Sequence, residues 1–77
     1  MGDKFVIGNR LKDKWIAVLD TDKKILEFTS QLAKAQEHLL EEDAQMNLAD
    51  IQETGYFSDL QIYIKENNKA YRIDERG

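Results

Sequence analysis

Short apolar segments, rich in β-branched and aromatic residues, recur along the first part of the chain. They cover residues 5–7, 15–19 and 25–28, and polar turn residues separate them. Composition of this kind between turn signals is typical of β-strands. We therefore expect three consecutive strands joined by short turns.

The second of these segments, residues 15–19, is apolar at every position. In a sheet that helices cover on one side only, half of its side chains need another cover. The sheet could curl on itself, the C-terminal tail could fold over it, or a second subunit could pack there. Because exposed apolar patches commonly mark interfaces, a homodimer in which Trp15 contributes to the contact is one of these three alternatives.

From about Ser30 the apolar positions follow the period of a helix. One stripe holds Leu32, Ala35, Leu39 and Met46. Thr29 or Ser30 offers an N-cap oxygen for the first turn. The pattern therefore predicts an amphipathic helix that starts near Ser30 and buries this stripe.

The C-terminal end of this helical region allows two interpretations. A first helix could stop near Gln45 and a second, capped by Asn47, could cover residues 48–54, or a single helix could run to Thr54. Gly55 is in place for a left-handed stop. The first interpretation places three acids near a helix C-terminus, where they oppose the helix dipole. These acids are Glu41, Glu42 and Asp43.

Alternation over residues 60–65 predicts a half-buried strand, and residues 70–73 predict its partner. Between them, Asn67-Asn68 tolerates the positive φ angles of a two-residue turn, which fixes the register. In that register Lys65 opposes Ala70, Ile64 opposes Tyr71, Tyr63 opposes Arg72, and Ile62 opposes Ile73. The order βββ-α(α)-ββ predicts a single α+β domain over residues 1–77, a small antiparallel sheet with one or two helices packed on one face.

Composition limits what can hold such a fold together. The chain has 77 residues, no cysteine and one histidine. We therefore expect apolar packing to stabilise it, without disulfides, a metal or another cofactor. No segment approaches the roughly 20 apolar residues of a membrane-spanning helix. These observations predict a cytoplasmic protein without a membrane partner.

Charge is unevenly distributed along the chain. Residues 35–64, which we call the acidic block, contain seven acids and no lysine or arginine, although the net charge of the whole chain is only −4. A surface whose charges all have one sign affects which partners the protein attracts, and it does not determine the fold. Candidate partner-binding residues are Glu37, Glu41, Glu42 and Asp43, and solvation of the helix is the simpler interpretation of the same acids.

Three further positions have ordinary explanations. His38 lies off the apolar stripe and is expected on the surface, since the chain has no second His and no Cys to join it as metal ligands. Asp20 and Asp22 begin like a calcium loop, but the next oxygen ligand and the glycine of that motif are missing, so we expect a hairpin turn. Gly8 alone does not form a phosphate cradle and indicates a strand end or bulge.

The predicted C-terminal hairpin places Tyr63 on the same face as Arg72 and Lys65. Aromatic and basic side chains in this combination are typical of platforms that bind single-stranded nucleic acid. Trp15, or Tyr56-Phe57 in the loop after Gly55, could extend such a platform. The acidic block opposes nucleic-acid binding. Cross-strand pairing with a cation–π contact is the simpler explanation for Tyr63 and Arg72.

No catalytic or ligand motif emerges, and a chain of this size offers no convergent acid, base and nucleophile, so an enzyme is not expected. The compact, cysteine-free layout loosely resembles the small accessory proteins of bacteria and their phages, a resemblance that implies no activity. We expect a non-catalytic protein–protein interaction module. The alternatives are an acidic mimic of nucleic acid that docks on a basic partner through its helix, and binding of single-stranded nucleic acid by Tyr63 and Arg72.

Overall fold

The structure, a computed structural model, describes residues 4–20, 22–53, 55 and 57–75. The elements in chain order are β1 (Lys4–Asn9), β2 (Lys14–Asp20), β3 (Ile25–Thr29), α1 (Glu41–Gln52), β4 (Gln61–Glu66) and β5 (Lys69–Arg72). Short 3-10 turns occupy Arg10–Lys12, Leu32–Lys34 and Ile73–Glu75. The strands form one antiparallel sheet in the order β3-β2-β1-β4-β5. The predicted α+β class, with a helix packed on the sheet, is confirmed.

The C-terminal hairpin has the predicted turn and register. Asn67 and Asn68 adopt φ angles of 52° and 63°, as a two-residue type I′ turn requires. The strand pairs are Tyr63 with Arg72, Ile64 with Tyr71, and Lys65 with Ala70. The prediction fails one pair further along, because Ile73 belongs to the last 3-10 turn instead of β5.

Two apolar clusters, one on each face of the sheet, make up the core. α1 covers the first cluster, which contains Ile7, Ile16, Ala44, Ile51 and Leu60. The second cluster contains Val6, Trp15, Ala35, Tyr63 and Ala70, with Leu32 packed against it. Successive residues of a strand point to opposite faces, so neighbours in β1 and in β2 belong to different clusters. The sheet is therefore covered on both sides.

The segment between β3 and α1 packs on the sheet face that carries Trp15. Leu32 and Ala35 of this segment contact the apolar cluster there. Gln36 donates its backbone N–H to the Ile16 carbonyl at 2.8 Å, and His38 exchanges two backbone hydrogen bonds with Phe5 at 2.7 and 2.8 Å. Trp15 is only 2% exposed on this face. The chain covers this face itself, so the expectation of an open apolar patch at Trp15 is wrong. A homodimer stays a prediction, without the patch that motivated it.

The helix begins at Glu41 instead of near Ser30. Because backbone groups of Gln36 and His38 hydrogen-bond to the sheet, they do not join a helical ladder. The buried face of α1 holds Ala44, Leu48 and Ile51. In contrast, Leu39 and Met46 are 74% and 67% exposed. The predicted start of the helix and its predicted buried stripe are therefore wrong.

A single helix of 12 residues forms, and Asn47 lies inside it instead of capping a second one. Thr54, the predicted end of the helical region, lies outside the described residues. Gly55 follows its end with a φ of 81°, the left-handed conformation that was predicted. Three acids lie in the first turn of α1, where negative charge is favourable to the helix dipole. These are Glu41, Glu42 and Asp43, so their expected position near a helix C-terminus is wrong.

The turn and glycine predictions near β1 and β2 agree with the structure. Asp20 Oδ1 accepts hydrogen bonds from the backbone N–H groups of Asp22 and Lys23 at 3.0 and 3.1 Å, which makes a polar hairpin turn. Gly8 lies one residue before the end of β1, and a Cβ there would overlap the Lys14 carbonyl oxygen and the neighbouring tryptophan ring. The backbones of β1 and β2 therefore approach too closely at Gly8 to leave room for a side chain.

Candidate partner-binding surface

The side of α1 that points away from the sheet is acidic. It carries Glu42, Asp43, Met46, Ala49 and Asp50, followed by Glu53 at the C-cap, and all six are exposed. Spacings of three and four residues place them on one side of the helix. We call these six residues the outer face of α1.

Apolar side chains interrupt the acids of this surface. Met46 is 67% exposed, and three acids of the outer face lie one helical turn away from it. Leu39 and Leu40, directly before the helix, are 74% and 59% exposed. The backbone turns here from its bridge with β1 into α1, and neither leucine joins the two core clusters. Exposed apolar groups rimmed by charge are typical of surfaces that bind a partner.

Two acids of the acidic block stabilise the fold instead of contributing to this surface. Glu37 lies 3.3 Å from Lys4 Nζ and 2.8 Å from Lys65 Nζ, and these contacts, chiefly the hydrogen bond from Lys65, lower the pKa of Glu37. Asp59 lies 3.1 Å from Lys12 Nζ, which lowers the pKa of Asp59. The other five acids of the acidic block lie on α1 or at its C-cap. Glu37 therefore differs from the other candidates, because two lysines already neutralise it.

Trp15 and Tyr63 are buried instead of exposed for binding. Their rings meet edge to face with 5.3 Å between centroids, and Tyr63 is 4% exposed. Arg10 donates its backbone N–H to Tyr63 Oη at 3.2 Å, and its guanidinium lies 5.8 Å from the tyrosine ring centroid. The prediction that Tyr63 lies on an open face is wrong, because Leu32 and Ala35 pack on that face.

Arg72 pairs with Tyr63 in the sheet but points to solvent. Its side chain is half exposed, and Nε lies 3.5 Å from Asp74 Oδ1. Lys65, the other base of the predicted platform, is only 12% exposed at its side chain. Stacking of a base needs an accessible aromatic ring, and the buried Tyr63 does not supply one. The predicted nucleic-acid platform therefore lacks Tyr63 as its aromatic component. Phe57 packs against the cluster under α1, on the other face of the sheet, and Tyr56 lies outside the described residues.

The prediction that His38 is a surface residue is also wrong. The bridge to Phe5 places His38 against the sheet instead of on the outside of a helix, and the residue is 8% exposed. Burial lowers the pKa of His38, and the charge of Asp43 opposes this effect. The imidazole is therefore held in its neutral form below the pH at which an exposed histidine would take up a proton.

We expect the free energy of unfolding to decrease as the pH falls below 6.5, the ordinary pKa of histidine. In this range the unfolded chain binds a proton at His38 more readily than the folded chain does, so protonation favours unfolding until the lowered folded pKa is reached. Glu37 and Asp59 add a second loss at lower pH, since their pKa values are also lowered in the folded state.

Urea unfolding between about pH 8 and about pH 3 measures the histidine contribution and, at its acidic end, the carboxylate contribution. The variant His38→Gln should lose the part of the pH dependence that begins near pH 6.5 and keep the part that comes from the carboxylates. If the wild type and this variant showed the same pH dependence throughout, His38 would not titrate as its burial requires.

The described residues, which are 4–20, 22–53, 55 and 57–75, contain no group of three or more His, Cys, Asp or Glu side chains that could hold a metal ion. In the same part of the chain, no helix combines the length and the apolar character needed to cross a membrane. The chain matches no protein-family model, no curated protein and no solved structure. Function is therefore inferred from the outer face of α1 and its surroundings.

Sequence reasoning identified part of this surface and missed the rest. Glu42 and Asp43 were candidates from the start, whereas Met46 was expected in the core, and Asp50 and Glu53 were not singled out. A signal was present, because Met46 stands one helical turn from acids on both sides. An apolar residue with such neighbours is typical of the solvent side of a helix.

Proposed function

We propose that this chain is a small, non-catalytic interaction module that binds a basic protein partner through the outer face of α1. Its main support is the exposure of Met46, together with Leu39 and Leu40, beside acids that have no lysine or arginine nearby in the sequence. Carboxylates attract and orient a cationic partner. Apolar side chains add the gain from burial once contact is made.

The fold presents this surface on a rigid element. Ala44 and Ile51, on the opposite side of α1, are 0% and 5% exposed, so the helix is anchored in the core. Gln45 also donates to Glu41 Oε2 at 2.8 Å, one turn apart on the helix. Binding groups on a packed helix are positioned more precisely than groups on loops. The partner would therefore meet a preformed surface.

A mimic of nucleic acid that docks on a basic partner is the alternative function. Such a mimic would use the same acids but would need no apolar side chains, since the phosphate backbone contributes charge alone. The exposed Leu39 and Met46 favour a partner that brings apolar side chains of its own. The variant Met46→Gln separates the two functions, because it should weaken protein docking and leave charge mimicry intact.

Neutralising the outer face tests the proposal. The double variant Glu42→Gln/Asp50→Asn removes one acid from each end of α1, so its effects on the helix dipole, about 0.3–1 kcal/mol each, oppose one another. The matched control Asp13→Asn/Glu27→Gln removes the same charge from exposed positions elsewhere. We expect the wild type and the control to capture the same basic proteins from the source cell, and the outer-face variant to lose them.

Kinetics with a purified captured partner then identify the cause. The outer-face variant should associate more slowly, and high salt should remove the difference from the wild type, because salt screens exposed charges. Capture of the same proteins by all three chains, with the same salt dependence, would show that the acids only keep the helix solvated.

A further inference from the structure

We propose that a groove at the C-terminal end of α1 binds an apolar side chain of a cationic protein segment. This inference rests on the proposed function, since the same partner would lie along the outer face of α1. The groove is formed by the end of α1 with its C-cap Glu53, by Phe57 and by the β2–β3 hairpin, and has a volume of about 580 Å³. Pockets of about 300–1,000 Å³ are typical of ligand sites, so one large side chain and its neighbours fit.

The floor of the groove is apolar and partly held in place by the core. It consists of Leu19, Ile25, Leu26, Ile51 and Phe57. Ile51 is 5% exposed and belongs to the cluster under α1, whereas Ile25 is 39% exposed and open to a ligand. The Phe57 ring lies 5.8 Å from the Phe28 ring, centroid to centroid. A ligand side chain would therefore meet a preformed apolar surface.

The rim of the groove carries a net negative charge. Asp20, Asp50 and Glu53 contribute three carboxylates, and Lys24 contributes the one ammonium group among the described lining residues. Such a rim attracts a cation and disfavours an acidic segment. A second copy of this chain would bring its own acidic α1 against these carboxylates, so a cationic partner is the better match.

The groove is continuous with the outer face of α1. Asp50 and Glu53 belong to both surfaces. Along the helix axis, Asp50 lies about 6 Å from Met46 at 1.5 Å per residue. An extended partner segment covers that distance with about two residues. A basic segment in contact with Met46 can therefore place one of its next side chains in the groove.

Two capped peptides, Lys-Lys-Gly-Phe-Gly-Lys-Lys and its analogue with Ala in place of Phe, test the inference on the full chain. We expect the Phe peptide to shift the methyl NMR signals of Ile25 and Ile51 and to bind about tenfold or more tightly than the Ala peptide. The variant Asp50→Asn/Glu53→Gln should weaken the Phe peptide severalfold, and the control Asp13→Asn/Glu27→Gln should not.

Equal affinities for the Phe and Ala peptides, with shifts confined to the Met46 methyl, would overturn the groove inference and leave the proposed function standing. Binding of neither peptide would also overturn it. Failure of the proposed function has a different signature, namely capture of the same cellular proteins by the wild type and by the variant Glu42→Gln/Asp50→Asn.

Discussion

Replacing Trp15 with alanine is expected to cost about 3–5 kcal/mol of the free energy of unfolding, the usual range for truncating a buried large aromatic residue. Trp15 is 2% exposed, and its ring contacts Tyr63 edge to face. Natural domains have about 0.05–0.15 kcal/mol of stability per residue, which gives about 4–12 kcal/mol for 77 residues. The loss is a large part of that total, so we expect a strongly destabilised variant with a much lower urea midpoint.

The variant Leu11→Ala is the matched control, because Leu11 is 95% exposed and surface changes usually stay within about 0.5 kcal/mol. Trp15 fluorescence in the wild type should not change on dilution, since Leu32 and Ala35 of the same chain pack on this face. A mild loss for Trp15→Ala, or an emission spectrum that shifts with protein concentration, would mean that residues 30–38 leave this face open.

The second large effect is expected for Gly8→Ala. A methyl group at this position would overlap the Lys14 carbonyl oxygen and the Trp15 ring. Overpacking usually costs about 1–3 kcal/mol, and more where surrounding atoms do not yield. One of the overlapping groups here is backbone inside the β1–β2 pair, where Gly8 opposes Trp15. We therefore expect a loss at or above the upper end of that range, measured as a lower urea midpoint.

Gly55→Asn is the control for the glycine substitution. Gly55 has a φ of 81°, and a Cβ there would meet no atom of the described residues within 4 Å. Asparagine tolerates this left-handed conformation better than other residues with a side chain, so only a small loss is expected. Similar losses for both variants would show that the close approach of β2 to Gly8 has no special cost.

The strands were predictable because their signals are local. Alternating or continuous apolar segments and the Asn67-Asn68 turn depend on a few neighbouring residues, and the turn sets the pairing of Tyr63 with Arg72 without reference to the rest of the fold. The pairing of Ile73 was predicted wrongly, because the chain leaves the sheet after Arg72. The pairing of β1 with β4 carries no local signal of this kind.

The helix was predicted too early because distant contacts decide its start. Leu32 and Ala35 have helical spacing, yet Gln36 and His38 bond to β2 and β1, and a backbone group so engaged does not join a helix. Because the helix was predicted to begin too early, Leu39 and Met46 were predicted to be buried in the core, although both are exposed. Tertiary hydrogen bonds therefore overrode the local period.

The candidate surface was only partly predictable for the same reason. The charge asymmetry of the acidic block is a property of the sequence, but assigning each acid to a role needs the fold. Glu37 lies between Lys4 and Lys65, which are distant from it in the chain. The groove beside Ile25 and Ile51 likewise joins two elements that no short motif connects.

The position of β1 between β2 and β4 has a consequence for the order of folding. β1, β2 and β3 are neighbours in sequence and can pair through short turns, but Gly8 meets Gln61 only across 53 positions of the chain. Closing a loop of that length costs chain entropy before the pairing returns any stability, and such distant contacts slow folding. The arrival of β4 beside β1 is therefore expected to be the slow step. Because both apolar clusters include residues of β1 and β2, the N-terminal strands and the C-terminal hairpin should then form and melt together as one cooperative unit.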